Sequence, residues 1–239
     1  MTEILVVAPL DATSDGPVAR RADGRDQPVH LRQGSLDGAC GPYSLFMAMI
    51  VAGLADRDDL LPVRRRDGRT RLGRVMRRLD EVGALFQGGL DEEGLRRALV
   101  AACGKRFEFQ HGLTAMFSGR DTPTFVREHV EASRPVLLKL AWGEGDATGA
   151  HWVVVIGLEY ERWSDEGREL CRFLVLDPEA PAPTVCAWNG VVDARPSRGG
   201  YWWWTARRAV RLDAAFAVGG PDPDGMEVEF EPAHGPSGS

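Results

Sequence analysis

From residue 40 onward the chain turns apolar without alternation: Tyr43, Leu45, Phe46, Met47, Met49, Ile50, Val51 and Leu54 follow in close succession. Leu, Met and Ala dominate, so the run predicts a largely buried helix from about residue 40 to 54, and Pro42 suits its first turn. Helical spacing recurs from Thr70 to Val82, where Leu72, Val75, Met76 and Leu79 share a face and arginines take the others. It recurs again from Asp91 to Cys103, which opens on an acidic turn, aligns Leu95, Leu99 and Val100, and stops at Gly104. Thr122 or Thr124 caps a fourth helix that reaches Ala132, with Pro123 at its start.

The rest of the pattern is β-like. Residues 3–8 read as a short strand, followed by a Gly/Asp/Arg-rich loop to about residue 27 and an extended piece from Pro28 to Leu31. Val136 to Trp142 reads as a strand interrupted by Lys139, and 143–149 as a loop. His151 to Gly157 is β-branched and apolar on both faces, the strongest strand signal in the chain. A charged hairpin or excursion over Glu159–Glu169 separates it from Phe173–Leu176, which ends at Asp177-Pro178. Later strands are expected at Thr184–Ala187, Trp202–Thr205 and Val210–Leu212. With helices first and strands later, the expectation is an α+β fold, a helical layer packed on a mainly antiparallel sheet. There is no internal repeat, no β-α-β alternation and no G-x-G-x-x-G.

Composition narrows the function classes. A hydrophobic fraction of 44% over 239 residues supports one substantial domain, expected over 1–218, and the acidic Pro/Gly-rich stretch 219–239 reads as a flexible tail. A net charge of -6 speaks against a nucleic-acid binder. The arginine-rich stretch 64–78 is the local exception; it reads as a solvated helix face, with a docking patch for an acidic protein partner as the alternative. Cys40, Cys103, Cys171 and Cys186 include no C-x-x-C pair, so neither a metal centre nor a cofactor is expected. The N-terminus does not read as a signal peptide, and no membrane span is expected. The expected place is the cytoplasm with reduced thiols, and export by a signal-less route stays open.

Four residues carry candidate chemistry. Cys40 stands at a loop-to-helix junction, where exposed N–H groups and the helix dipole favour a thiolate. His151 heads the best strand, on the rim of a sheet, where an imidazole can serve as base and then acid. Asp177 closes the next strand and reaches the His151 ring if the two strands pair. Gln33, seven residues before Cys40, can donate to an oxyanion together with the Cys40 N–H. Asn189 is an alternative orienting residue, within a Trp188-Asn189-Gly190 stretch that reads as a turn. The run Tyr201-Trp202-Trp203-Trp204 reads as core packing first and a groove wall second.

The order Gln33-x6-Cys40-Gly41-Pro42-Tyr43, Gly149-Ala150-His151-Trp152, then Leu176-Asp177-Pro178 resembles the papain-like cysteine peptidase superfamily, closest to the bacterial C39-like peptidases. The resemblance covers roughly residues 28–57 and 136–192. It implies a helical lobe whose central helix starts at the nucleophile, packed on a C-terminal sheet. It also implies the roles of nucleophile for Cys40, base and acid for His151, orienting acid for Asp177 and oxyanion donor for Gln33. The expected function is hydrolysis of a peptide or isopeptide bond in a protein or peptide substrate through a thioester. A bacterial effector or toxin that runs acyl transfer or amide cleavage with the same triad is the alternative, and a papain-like binding module without turnover is another.

Overall fold

The buried run after Ala39 forms α1 (Cys40–Val51), in which every residue from Leu45 to Val51 is at most 1% exposed. Burial on every side matches its lack of a polar face. Gly53, at φ 66°, turns the chain away after the Ala52 cap, so the helix stops short of the expected residue 54. The computed structural model describes residues 1–21, 23–34, 39–60, 67–83, 89–104, 106–111, 121–143, 148–162 and 167–219. The tail expected after residue 219 and Arg64–Arg66 lie outside the described residues.

The remaining helices are α2 (Arg57–Leu60), α3 (Arg71–Glu81), α4 (Glu92–Cys103) and α5 (Thr122–Glu131). Thr70 and Asp91 cap α3 and α4 by accepting from the N–H groups of Gly73 and Gly94. For α5 the cap is Asp121, whose carboxylate accepts from Thr124 N at 2.8 Å, and not Thr122 or Thr124. Four arginines of α3 and α4 meet acids of their own helix: Arg77 and Arg78 pair with Glu81, and Arg96 and Arg97 with Glu93.

The strands are β1 (Thr2–Val6), β2 (Leu10–Thr13), β3 (Gly16–Arg20), β4 (Asp26–Pro28), β5 (Phe107–His111), β6 (Val136–Trp142), β7 (Gly149–Arg162), β8 (Arg168–Leu176), β9 (Gly190–Asp193), β10 (Tyr201–Trp203) and β11 (Arg208–Val218). Three expectations fail here. The stretch to residue 27 is not a loop: β2, β3 and β4 pair as a small antiparallel sheet. Residues 184–187 form no strand, and β9 comes just after them. The strand β5 had no counterpart in the sequence reading.

The larger correction concerns the fold class. Strand exceeds helix, 39% against 26%, and the main sheet is not an open layer under a helical lobe. It closes on itself: β7 pairs with β6, β6 with β11, β11 with β10, β10 with β9, β9 with β8, and β8 returns to β7. The result is a six-stranded antiparallel barrel, in place of the expected papain-like arrangement. Closure has a visible cause in the two longest strands. β7 pairs with β6 through residues 149–155 and then with β1 through residues 157–161. β11 pairs with β10 at 208–210 and with β5 at 214–218. Register breaks at Val155/Gly157, Glu159/Tyr160 and Leu212/Ala214 mark where these strands bend, and bulges of this kind add twist that curls a sheet shut. Gly157 belongs to that device: a Cβ there would lie 2.8 Å from the Leu5 carbonyl of β1.

Alternation along β7 then sorts side chains into two cores. His151, Val153 and Val155 pair across the register with Leu140, Leu138 and Val136, and all six are at most 4% exposed. The His151 ring stacks on Trp203 of β10 with centroids 5.2 Å apart. β7 and β10 are not neighbours on the ring of strands, so this contact spans the barrel and identifies that face as the interior. Trp152 takes the outer face, 5.9 Å from Phe216, where α1 packs. Lys139, the polar interruption of β6, shares this outer face and bridges Glu92 of α4 to Asp213 in the β11 bulge, both at 2.8 Å. No helix among the described residues is long and apolar enough to cross a membrane.

Candidate active site

Two hydrogen bonds and a glycine set the start of α1 against the start of β7. Ser44 Oγ donates to the Trp152 carbonyl at 2.9 Å, and Trp152 Nε1 donates to the Leu90 carbonyl at 2.7 Å. A Cβ on Gly41 would lie 2.6 Å from Leu90 Cβ and 3.3 Å from the Trp152 ring, so only glycine lets the helix begin this close. Cys40 is therefore delivered to the mouth of the barrel as the first residue of α1, 9% exposed. Ala39 caps the helix with no side-chain hydrogen bond.

His151 sits beside it, 4% exposed, at the barrel end where β7 begins and β8 ends. Its Nε2 is 2.8 Å from Asp177 Oδ1, and Cys40 is near enough to act on the ring's proton affinity. Burial pulls the ring's pKa down; the hydrogen bonds to Asp177 and Cys40 outweigh it and raise the value to about 10. At neutral pH the imidazole thus holds a proton that it can later deliver.

Asp177 is itself fixed on all sides, 2% exposed. Its N–H donates to Asn189 Oδ1 at 2.7 Å, and its carbonyl accepts from Asn189 Nδ2 at 2.9 Å and lies 3.1 Å from His30 Nε2. The Glu179 N–H donates to Oδ1 at 2.9 Å, the oxygen that also meets His151. Asn189 therefore holds the backbone of the orienting acid and does not replace it. Burial lowers the His30 pKa, so that ring is neutral and acts as a support. His30 was missed as a support, since a lone histidine before the Gln33 loop carries no pattern, and Asn189, weighed as an orienting residue, bonds the Asp177 backbone and not the His151 ring.

Gln33 is placed less decisively. Its N–H donates to the Pro178 carbonyl at 2.9 Å, which brings its loop to the Asp177–Pro178 turn. Its Oε1 is buried without a hydrogen-bond partner. His151 and Asp177 are thus joined by a hydrogen bond with Cys40 beside the ring, and the Gln33 side-chain amide is bonded to none of the three among the described residues. Among the described residues no cluster of His, Cys, Asp or Glu is placed to hold a metal ion.

The tryptophan run divides by strand alternation. Trp203 is 3% exposed inside the barrel, whereas Trp204 is 51% exposed and donates to Asp193. Trp203 serves both functions weighed for the run, since it packs on His151 and also borders a groove of about 450 Å³ with Trp142, Asp177, Pro181 and Arg208.

Asn189→Ala removes both clamps on Asp177 while leaving the three reacting side chains in place. The expected outcome is a fall in kcat/KM of roughly 10-fold or more, of the size that misplacing an oriented group brings, with a much smaller change in Tm than Asp177 variants show. Steady-state kinetics beside thermal melts check it. The protein-family models contain no match to this chain, and no curated protein matches it, so the chemistry rests on the geometry alone.

Proposed function

We propose that the chain is a cysteine peptidase that hydrolyses a peptide or isopeptide bond through a thioester. The observation that carries the reading is the His151–Asp177 pair, with an Nε2–Oδ1 distance of 2.8 Å, set beside Cys40 at the start of α1. In the first step the Cys40 sulfur attacks the substrate carbonyl while its proton resides on His151. The tetrahedral oxyanion is met by the Cys40 N–H at the open helix start and by the Gln33 amide. The carbon–nitrogen bond then breaks, and His151 gives its proton to the departing amine. Water, deprotonated by the now neutral ring, attacks the thioester and releases the acid and the thiol.

The likeness to the bacterial C39-like peptidases supports this reading through the catalytic residues and their order alone; the barrel takes no part in it. An effector or toxin that passes the acyl group to an amine would use the same first half-reaction, with the amine in place of water.

The test is alkylation of the full chain with iodoacetamide, followed residue by residue in wild type and His151→Ala. Cys40 is expected to react at least about 10-fold faster than Cys103, Cys171 and Cys186, and the excess should vanish in His151→Ala. Equal Cys40 rates in the two proteins would overturn the assignment of His151 as its activating base.

A further inference from the structure

We infer that the groove beside Trp203 is the leaving-group subsite, and that Arg208 selects departing amines whose chain carries a carboxylate. The inference rests on the peptidase reading above and adds its substrate class. The departing nitrogen takes its proton from His151, so it leaves on the side of that ring. The groove borders the two residues that hold the ring: Asp177, which hydrogen-bonds it, and Trp203, which stacks on it. Neither Cys40 nor any other residue of α1 lines the groove.

Its walls also state what fits. Trp142 and Trp203, 6.1 Å apart, supply flat apolar area for the first residues of a peptide. The Arg208 guanidinium lies 4.6 Å over the Trp142 ring and makes no hydrogen bond among the described residues. Arg77 and Arg78 of α3 meet Glu81, and Arg96 and Arg97 of α4 meet Glu93; Arg208 meets no carboxylate among the described residues. A guanidinium fixed by stacking and free at its fork is a bidentate carboxylate receptor. Glu179, on the loop wall directly after Asp177-Pro178, has no cation partner among the described residues either. Its place next to the orienting acid suits the ammonium that the amine becomes after it departs.

Four peptides with free N-termini test this, titrated onto the full chain and followed by tryptophan fluorescence: the amides Ala-Ala-Ala-Ala, Ala-Asp-Ala-Ala and Ala-Lys-Ala-Ala, and Ala-Ala as the free acid. At least one carboxylate peptide is expected to bind about 10-fold tighter than the alanyl amide, a modest return for one charge-assisted pair. Whether it is the aspartyl amide or the free acid tells a side-chain carboxylate from a chain terminus. Arg208→Gln should erase the difference with the alanyl amide unchanged, and Arg208→Glu should turn the preference to the lysyl peptide. Equal affinities for all four peptides, or a carboxylate preference that survives Arg208→Gln, would overturn the inference. The alkylation rate of Cys40 reads the peptidase assignment separately. Fast His151-dependent alkylation without any carboxylate preference removes the subsite alone, and a preference with His151-independent alkylation removes the peptidase reading alone.

Discussion

Cys40→Ala is expected to lower turnover of any peptide the wild type cleaves by roughly 10⁵-fold or more, with the barrel intact. Removal of a nucleophile that forms the covalent intermediate costs on that order, because the residual rate comes only from binding and oxyanion stabilisation. The fold should tolerate the change. Cys40 loses one sulfur atom, while the ring keeps its 2.8 Å bond to Asp177 and its stacking on Trp203. The helix start is held by Ser44, Gly41 and Trp152, none of which touches the sulfur in these contacts. Stability should therefore shift by about 1 kcal/mol or less, near the ordinary size for a conservative change. Purified wild type and Cys40→Ala, compared on a peptide mixture by mass spectrometry and by thermal melts, supply both readouts. Equal cleavage by the two proteins would remove Cys40 from the mechanism.

The residues of the candidate site were more legible than the barrel that presents them. Cys40, His151 and Asp177 each stand at the boundary of an element whose interior has a strong local signal: the unbroken apolar run of α1, the β-branched run of β7, and the end of β8 at Asp177-Pro178. Boundaries next to such runs are readable because the burial pattern changes there. Closure of the sheet is a different kind of fact. It depends on β7 and β11 exchanging partners midway and on register breaks at Val155/Gly157 and Leu212/Ala214, which have no pattern in one strand because a bulge is a property of a pair. Of the short strands that complete the ring, β10 was expected a residue or two late, at Trp202–Thr205, and β9 fell where turn residues hid the alternation. Asp15-Gly16 did carry a hairpin signal for β2 and β3, and the polar surroundings of that turn masked it. Trp203 shows the same limit at the site. Its alternation with Trp202 and Trp204 was visible, yet its contact with His151 exists only because the barrel closes.

Asp177→Asn separates orientation from charge. The amide keeps the volume of the carboxyl and its oxygen can still accept from Glu179 N–H, while the unchanged backbone keeps Asn189 and His30. It cannot neutralise a buried imidazolium. With the charge gone, burial becomes the dominant influence on His151, and its pKa falls from the raised value of about 10. The imidazolium formed during the reaction then loses its stabilising partner, so kcat/KM is expected to fall by roughly 10²- to 10⁴-fold, the upper figure being what loss of an orienting aspartate brings in a serine protease triad. The pH dependence of stability checks the cause. In wild type the folded state holds the His151 proton more tightly than the unfolded chain, whose imidazole titrates near 6.5. Its contribution is fully present below about pH 6.5 and is lost as pH rises through about 10, since across that window the native state binds more protons than the unfolded one. Asp177→Asn should therefore be less stable than wild type by about 3 kcal/mol at low pH, the lower end for breaking a buried ion pair, and the gap should close as pH approaches the upper end of the window. Urea denaturation of both proteins between pH 6 and pH 10 measures it, with pH chosen to span the two titrations. A stability difference that stays constant across the series would mean that His151 carries no raised proton affinity, and the ion-pair account of the site would fall with it.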